Sequence, residues 1–435
     1  MENVNEKLLE FIRRCPSSFH TVQTVAERLE DEGYCPLQEG KPWELLPGGK
    51  YYLTRNRSSL IAFRVPKGEV QSFLLTASHG ESPAFKVKPE PELPVESAYL
   101  KLNTEKYGGM LYTSWLDRPL SVAGRIVVKT ENGIETRLVD VDRDLLVIPS
   151  LAIHMNRSAN EGVALNPQKD LLPLFSEGIE KGSFWDLIAQ TAHVAKEDII
   201  GSDLFVYCRS QGTVWGKNEE FISAPRLDDL QCVFGTLEGF LSAKEKQSMP
   251  VYCLFDNEEV GSGTKQGAQS TFLPDTMQRI CMALSIGKEE YLQMLSSSFM
   301  LSADNGHGLH PNYPEKTDPT NRPKLGGGLL LKYNANQNYT TDGISEAVVV
   351  TICQKAGVPV QKYVNPSDIP GGSTLGNLSA RKVSINTADI GLAQLSMHAA
   401  WETASAKDTA YLIAAIREFY STNVLVLDDG RLSLM

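Results

Sequence analysis

Cysteine is scarce in this chain, and its arrangement excludes two kinds of chemistry. The seven cysteines (Cys15, Cys35, Cys208, Cys232, Cys253, Cys281 and Cys353) are widely spaced, odd in number and form no C-x-x-C. That pattern indicates neither a disulfide framework nor a thiolate zinc site, and leaves reduced, mostly buried thiols as the expectation. No apolar run reaches membrane-spanning length, and the opening stretch MENVNEKLLEFIRRC is charged and amphipathic, without the apolar core of a signal peptide. Positive charge is the scarcer sign: 42 basic against 53 acidic residues give a net charge of -11 and a pI near 5.3. This balance argues against nucleic acid or an anionic membrane as partner, and an acidic ligand would need a local positive site. Internal repeats, low-complexity tracts and heptads are also missing. A cytoplasmic globular protein is expected, and 435 residues exceed what one hydrophobic core normally serves, so two domains are expected as well.

Along the chain, Leu8, Leu9, Phe11 and Ile12, then Val22, Val25, Ala26 and Leu29, recur at helical spacing on either side of Cys15-Pro16-Ser17-Ser18. Two helices should open the fold. KYYLTR, SLIAFRV and SFLLTASH follow as strands separated by Gly48-Gly49, Asn56-Arg57 and Lys67-Gly68. After Pro83 the texture turns to KVKPEPELPVES, rich in proline and charge, and then to the strand-like RIVVKT, TRLVDV and LLVIPS around an Asn132-Gly133 turn. Residues 91–219 therefore read as an inserted, mainly β domain that splits an α/β domain into 1–90 and 220–435. In the second part a helix begins near Asp228, VYCLF, MLSAD, GLLLKYNA and ADIGLAQLSMH are strand-like, and Asp408 to Tyr420 closes as a helix.

Five separated segments each end an apolar run in a metal-binding side chain: TASHGESP at His79, APRLDDL at Asp228, FDNEEVGS at Glu258 and Glu259, LSADNGHG at Asp304, and LSMH at His398. Any one of these is an ordinary polar cap or acidic turn when taken alone. Together they offer the ligands of a two-metal hydrolase, with ions about 3.5–4 Å apart and one glutamate left free as a base. In open α/β sheets ligands bind beyond the carboxyl ends of the strands, so strands ending in these groups should bring them to one edge. GGSTLG at Gly371–Gly376 lacks the G-K-[ST] ending of a phosphate loop and reads as a turn close to substrate.

In these segments the sequence resembles the aspartyl aminopeptidase family, dinuclear zinc aminopeptidases that form hollow oligomers, and its bacterial branch in particular. The likeness runs nearly end to end, through CPSSFHTV, GGKYYLTRNRSSLIAF, HGESP, KYGGMLYTSWLDRPLSVAGR, IPSLAIHMNR, APRLDDL, FDNEEVGS, SADNGHGLHPNYPEK, KYNANQNYTTD, GGSTLG and ADIGLAQLSMH. The resemblance implies a zinc-exopeptidase-like α/β domain, with a mixed sheet and helices on both faces, split by a β-rich oligomerisation or lid domain. It implies two zinc ions, which cobalt or manganese can replace, with Asp228 bridging, Glu259 and His398 on one ion, His79 and Asp304 on the other, and Glu258 as general base. It assigns His154 to transition-state stabilisation in a neighbouring subunit's site, whereas its own surroundings of Leu151, Ala152 and Ile153 suggest a buried residue. Lys332 would pair with an acidic N-terminal side chain, with Tyr339 and His307 lining the same pocket. Peptides with a free N-terminus and further copies of this chain, as a dodecamer, are the implied partners.

One position departs from the family pattern: His79-Gly80-Glu81 stands where His-x-Asp is usual. Glu81 is expected to orient His79 or steady the metal pair, reaching through one extra methylene. Two alternatives share the pattern: a catalytically weak shell protein for assembly or peptide binding, and a dinuclear deacylase or carboxypeptidase.

Overall fold

The computed structural model describes residues 4–435. The two opening helices form as their spacing predicts, at Val4–Arg14 and Ser18–Asp31, burying Leu8, Phe11 and Ile12 in one and Val22, Val25 and Leu29 in the other. Pro16 ends the first, because the residue before a proline is driven out of the helical region.

A nine-stranded mixed sheet organises the molecule. Its spatial order is Cys35–Pro36, Lys50–Arg55, Ser59–Arg64, Ser248–Phe255, Ser72–His79, Phe299–Ala303, Asn386–Gly391, Leu329–Lys332 and Val360–Tyr363. The neighbours Ser248–Phe255, Ser72–His79, Phe299–Ala303 and Asn386–Gly391 run parallel. They are covered on both faces, which is why their sequences are nearly continuous in apolar residues. Leu74, Tyr252, Leu254 and Leu301 pack into one core with helices Leu227–Ser242, Gly343–Ala356 and Asp408–Tyr420. The alternate residues Phe73, Leu75, Val251 and Cys253 pack into another core with helices Phe272–Ala283 and Leu375–Ala380. His79 stands directly opposite Phe255 in register, so the carboxyl ends of these strands open onto one edge.

A six-stranded antiparallel sheet lies beside it, in the order Gly133–Asp140, Leu120–Thr130, Ile199–Cys208, Ala84–Val95, Tyr99–Tyr107 and Leu174–Glu177. Helix Ser183–Ala192 contributes Phe184 and Ile188 to its core. The chain enters this sheet at Ala84, ahead of the expected boundary at 91, and leaves it at Cys208, before residue 219. Pro89 and Pro91 of KVKPEPELPVES are tolerated because they fall in the register shift between Val87 and Glu92. The turn at Asn132-Gly133 closes a hairpin with Thr130 opposite Gly133. LLVIPS, expected as a strand, is not one. Leu146 bonds Leu120, Val147 bonds Leu174 and the Ile148 carbonyl accepts from Asp117, so its backbone groups are shared among three partners instead of one ladder.

A five-stranded sheet joins Thr213–Trp215, Phe221–Ala224, Glu402–Ser405, Ala393–Leu395 and Gly306–His307. ADIGLAQLSMH is accordingly two strands: Asn386–Gly391 belongs to the large sheet and Ala393–Leu395 to this one. All seven cysteines are unpaired and only Cys35 is exposed. No helix among the described residues is long and apolar enough to cross a membrane.

Helix Leu227–Ser242 packs closely on Asp408–Tyr420 because glycines face the contact. A β-carbon on Gly235 would lie 2.5 Å from Leu412 Cδ2, and one on Gly239 would lie 2.6 Å from Ile416 Cβ. Gly239→Val is therefore expected to destabilise the protein by about 1–3 kcal/mol through overpacking, seen as a lower urea midpoint; an unchanged midpoint would show that the two helices can separate freely.

Candidate metal centre

His79 ends its strand with both ring nitrogens committed. Nδ1 lies 3.0 Å from the main-chain carbonyl of Glu81, which can only accept, so Nδ1 carries a proton and Nε2 is the nitrogen left to meet a metal ion. Nε2 faces Asp228 Oδ1 at 3.6 Å. The other oxygen of Asp228 is 3.4 Å from His398 Nε2, and that nitrogen is also 3.4 Å from Glu259 Oε1. Asp228 thus stands between two imidazoles.

Asp228 does not leave a strand of the large sheet. It follows Phe221–Ala224 of the five-stranded sheet and lies in the first turn of helix Leu227–Ser242, where it and Asp229 keep non-helical backbone angles. Glu258 and Glu259 diverge because they occupy a short 3-10 turn after Asn257, itself in the left-handed region. His398 also has a left-handed backbone (φ 65°), a conformation that costs energy in a residue with a β-carbon. Glu402 supports it: one carboxylate oxygen accepts from the His398 amide at 2.7 Å and the other from the Asp228 amide at 2.9 Å.

His79, Asp228, Asp229 and Asp304 each present a ligand atom within 4.8 Å of the others, as do Asp228, Glu259 and His398, and His79, Glu258 and Glu259. Burial alone raises the pKa of such carboxylates, and their mutual repulsion adds to it. Glu258 is pushed up to about 8 mainly by burial, with Asp304, Glu81 and Asp228 adding to the rise against His79. Burial likewise carries Glu259 well above the carboxylate range, with Asp228 adding to it. Asp228 is the exception: burial opposes its charge, but His398 and His79 outweigh burial and hold it below the usual range.

Glu81 serves the site through two groups. Its carbonyl fixes His79, while its carboxylate accepts from the Glu259 amide at 3.2 Å and the Tyr107 hydroxyl at 3.3 Å. Its second carboxylate oxygen is buried, 3.7 Å from His79 Nδ1.

Lys332 is fully buried. It donates to the Asn305 carbonyl at 2.8 Å, and its Nζ lies 3.5 Å from Asp304 Oδ2. Burial works against its charge, but Asp304 outweighs burial and keeps the ammonium protonated. Tyr339 lies beneath it, ring centroid 5.5 Å from Nζ, and Tyr363 links Tyr339 to His307 at ring distances of 6.2 and 6.3 Å. His154 joins none of these groups. It is exposed, as are Leu151, Ile153 and Met155, so the buried environment suggested by its neighbours is corrected: the loop holding it has no cover within this chain.

Several supporting residues escaped the sequence reading. Asp229, adjacent to Asp228 in RLDDL, accepts from the His79 amide at 3.2 Å. Glu402, Tyr107, Asn305 and Tyr363 carried no local signal, because their partners are remote in sequence.

A family model described as aminopeptidase I zinc metalloprotease (M18) matches residues 11–420. The chain belongs to the M18 family of zinc aminopeptidases. A probable M18 family aminopeptidase 2 of Clostridium novyi (strain NT) is 44% identical over 423 residues, covering 95% of this chain and 98% of its own length. Among solved structures, Ape4 in its cryo-EM complex with Nbr1 has a TM-score of 0.92 at 34% identity, covering 97% of this chain and 86% of that one. The mApe1 dodecamer of S. cerevisiae has a TM-score of 0.85 at 27% identity, covering 96% of each chain.

The zinc that this family implies fits the residues present. Ligand atoms about 2.0–2.1 Å from a tetrahedral zinc lie roughly 3.3–3.4 Å apart, close to the separations of 3.4 and 3.6 Å around Asp228. Asp228 Oδ1 and Glu259 Oε1 are buried without a hydrogen-bond partner, an arrangement that is costly unless a cation satisfies them. Glu402→Gln, which leaves one of two acceptor oxygens, is expected to weaken zinc retention by about 10–100-fold on titration with a competing chelator. Retention equal to wild type would show that Glu402 does not hold the ligands in place.

Proposed function

We propose that this M18 aminopeptidase removes N-terminal residues from peptides with two zinc ions, Asp228 serving both, Glu259 and His398 completing one site, and His79 and Asp304 the other. The observation that carries the proposal is the placement of the two Asp228 oxygens, 3.6 and 3.4 Å from separate imidazole Nε2 atoms. The ions supply Lewis acidity, drawing electron density from the peptide carbonyl and lowering the pKa of water toward about 7. Glu258 is kept off the ligand set as the base. Its carboxylate takes a proton from the attacking water and returns it to the leaving amide nitrogen, and burial, which raises its pKa, favours the proton uptake. A bound cation acts on the same carboxyl in the opposite direction, towards ionisation.

Lys332, Tyr339 and His307 line the pocket for the N-terminal side chain. An acidic preference rests on Lys332: it stays charged although buried, and two of its three donors face Asn305 and Asp304. Glu81 steadies the pair by tying the His79 turn to the Glu259 turn. The exposed loop with His154, Leu151, Ile153 and Met155 supports reach into a neighbouring subunit, and the mApe1 dodecamer supports a dodecamer here. Unpaired thiols support the cytoplasm as the compartment.

Matched peptides with N-terminal Glu and Leu, free and N-acetylated, test this reading on protein supplied with zinc, cobalt or manganese. Release from free peptides only, faster for Glu, is expected; faster Leu release removes the acidic preference, and cleavage of acetylated peptides removes the aminopeptidase mechanism. Glu258→Gln should lower kcat by about 10²–10⁴-fold with its metal content intact, and a variant of full activity would exclude Glu258 as the base. Co-expressed His154→Ala and Glu258→Gln chains should recover activity that neither has alone, because mixed assemblies contain sites with both residues intact; no recovery would confine His154 to its own subunit.

A further inference from the structure

The six-stranded sheet sends one segment across the metal centre, and the proposed reaction gives that segment no task. Residues 107–114 leave strand Tyr99–Tyr107 and run into a short 3-10 turn at Tyr112–Trp115. Both ends are seated on the six-stranded sheet: the Tyr107 ring meets Phe205 edge-on at 5.7 Å, and the buried Trp115 meets Phe85 edge-on at 5.1 Å. Between these anchors the backbone passes the Glu258–Glu259 turn and then the His398 turn. Gly108 has a φ of 74°, and a β-carbon there would lie 3.1 Å from Glu259 Cβ. Glycine at 108 therefore meets two demands, a left-handed backbone and close approach to Glu259. Beyond it, the Leu111 amide donates to the His398 carbonyl at 3.0 Å, and the Ala400 amide donates to the Ser114 hydroxyl at 2.9 Å.

Tyr107 makes the most specific of these contacts. Its hydroxyl lies 2.9 Å from Asn257 Nδ2 and 3.3 Å from Glu81 Oε1. The direction of both bonds is fixed by their surroundings. Asn257 Oδ1 accepts from Thr264 Oγ1 and from Gln266 Nε2, each at 2.8 Å, so Nδ2 is the atom that faces the phenol and donates to it. The single phenolic proton then goes to Glu81, whose Oε1 also accepts from the Glu259 amide at 3.2 Å. Asn257 stands immediately before Glu258, in the left-handed region, and Glu259 immediately after it. Tyr107, Asn257, Glu259 and Glu81 thus close a ring of hydrogen bonds around the Glu258 backbone, and of these four only Tyr107 comes from the six-stranded sheet.

We infer that Tyr107 is a positioning residue for hydrolysis: its hydroxyl holds the Asn257–Glu259 turn at the height from which the Glu258 carboxylate reaches the attacking water. Proton transfer is sensitive to such placement, since a shift of about 1 Å can cost on the order of 10²-fold in rate. Because the hydroxyl stands on a different sheet from Glu258, the alignment of the six-stranded sheet against the nine-stranded one becomes a determinant of turnover within a single subunit. The inference rests on the reading of Glu258 as the base.

Tyr107→Phe removes one oxygen and keeps the ring on Phe205. With activity on an N-terminal Glu peptide counted per bound zinc, it should lower kcat by at least ~10-fold while KM stays within about 2-fold. Asn257→Gly keeps a left-handed backbone and deletes the other half of the contact, so it should lower kcat by about 10-fold or more as well. With Glu258→Gln already in place, adding Tyr107→Phe should change the residual rate by less than about 2-fold, because the group being positioned is gone. Hydrogen exchange of the metal-free full chain reads the same tie without catalysis: residues 257–262 should exchange at least ~10-fold faster in Tyr107→Phe. Wild-type kcat in either variant, a loss carried by KM, unchanged exchange at 257–262, or an equal loss with and without Glu258 would each overturn the role of Tyr107. Full activity of Glu258→Gln would instead overturn the base assignment, and this inference with it.

Discussion

Concentration of buried negative charge at one sheet edge is the constraint on which this structure depends. Asp228, Asp229, Glu258, Glu259 and Asp304 converge on two imidazoles, and several of their oxygens find no hydrogen-bond donor. Left to itself such a cluster takes up protons or moves apart, because burial and repulsion both disfavour the charged state. Cations resolve the conflict, and the zinc of the M18 family is the cation that the mixed nitrogen and oxygen donors suit. The surrounding structure holds the cluster in place against its own repulsion. Glu402 grips the backbones of Asp228 and His398, Glu81 ties the His79 turn to the Glu259 turn, and Lys332 sets a permanent positive charge beside Asp304.

The fold supplies this rigidity by dividing the candidate ligands between two sheets. His79, the Glu258–Glu259 turn and Asp304 leave parallel strands of the large sheet, whose register fixes their relative heights. Asp228 and His398 come from segments flanking the five-stranded sheet. The centre therefore requires the two sheets to be locked together. Close packing of helix Leu227–Ser242 on Asp408–Tyr420 through Gly235 and Gly239 contributes to that lock, at a point where even one methyl group would be in conflict.

Two buried cations flank this acidic centre, and their surroundings separate their roles. Lys332 has a carboxylate partner and an aromatic floor, so its charge is stable without a ligand. Arg226 has main-chain carbonyls and no carboxylate, so its charge is only partly compensated.

Much of the fold and of the site was legible in the sequence because it rests on local pattern. Alternating and continuous apolar runs marked the strands, 3.6-residue spacing marked both opening helices and the closing one, and His79 and Asp304 stand at the ends of such runs, whereas Asp228 lies in a helix start and His398 in a turn. LLVIPS was misread because an apolar run does not reveal that its backbone bonds go to three different partners. Likewise, the sequence around His154 carries apolar neighbours but no information on whether this chain covers them, and the tertiary structure leaves them exposed. What sequence alone determined is the set of candidate metal-binding side chains and their order along the chain, together with membership of a zinc aminopeptidase family. Only the tertiary structure decided that Asp228 stands between the two histidines, that Glu402 holds both backbones, and that Lys332 is buried against Asp304. The physical reason is distance: those relations join residues far apart in the chain, and the partner of a charge is set by packing, which no local pattern encodes.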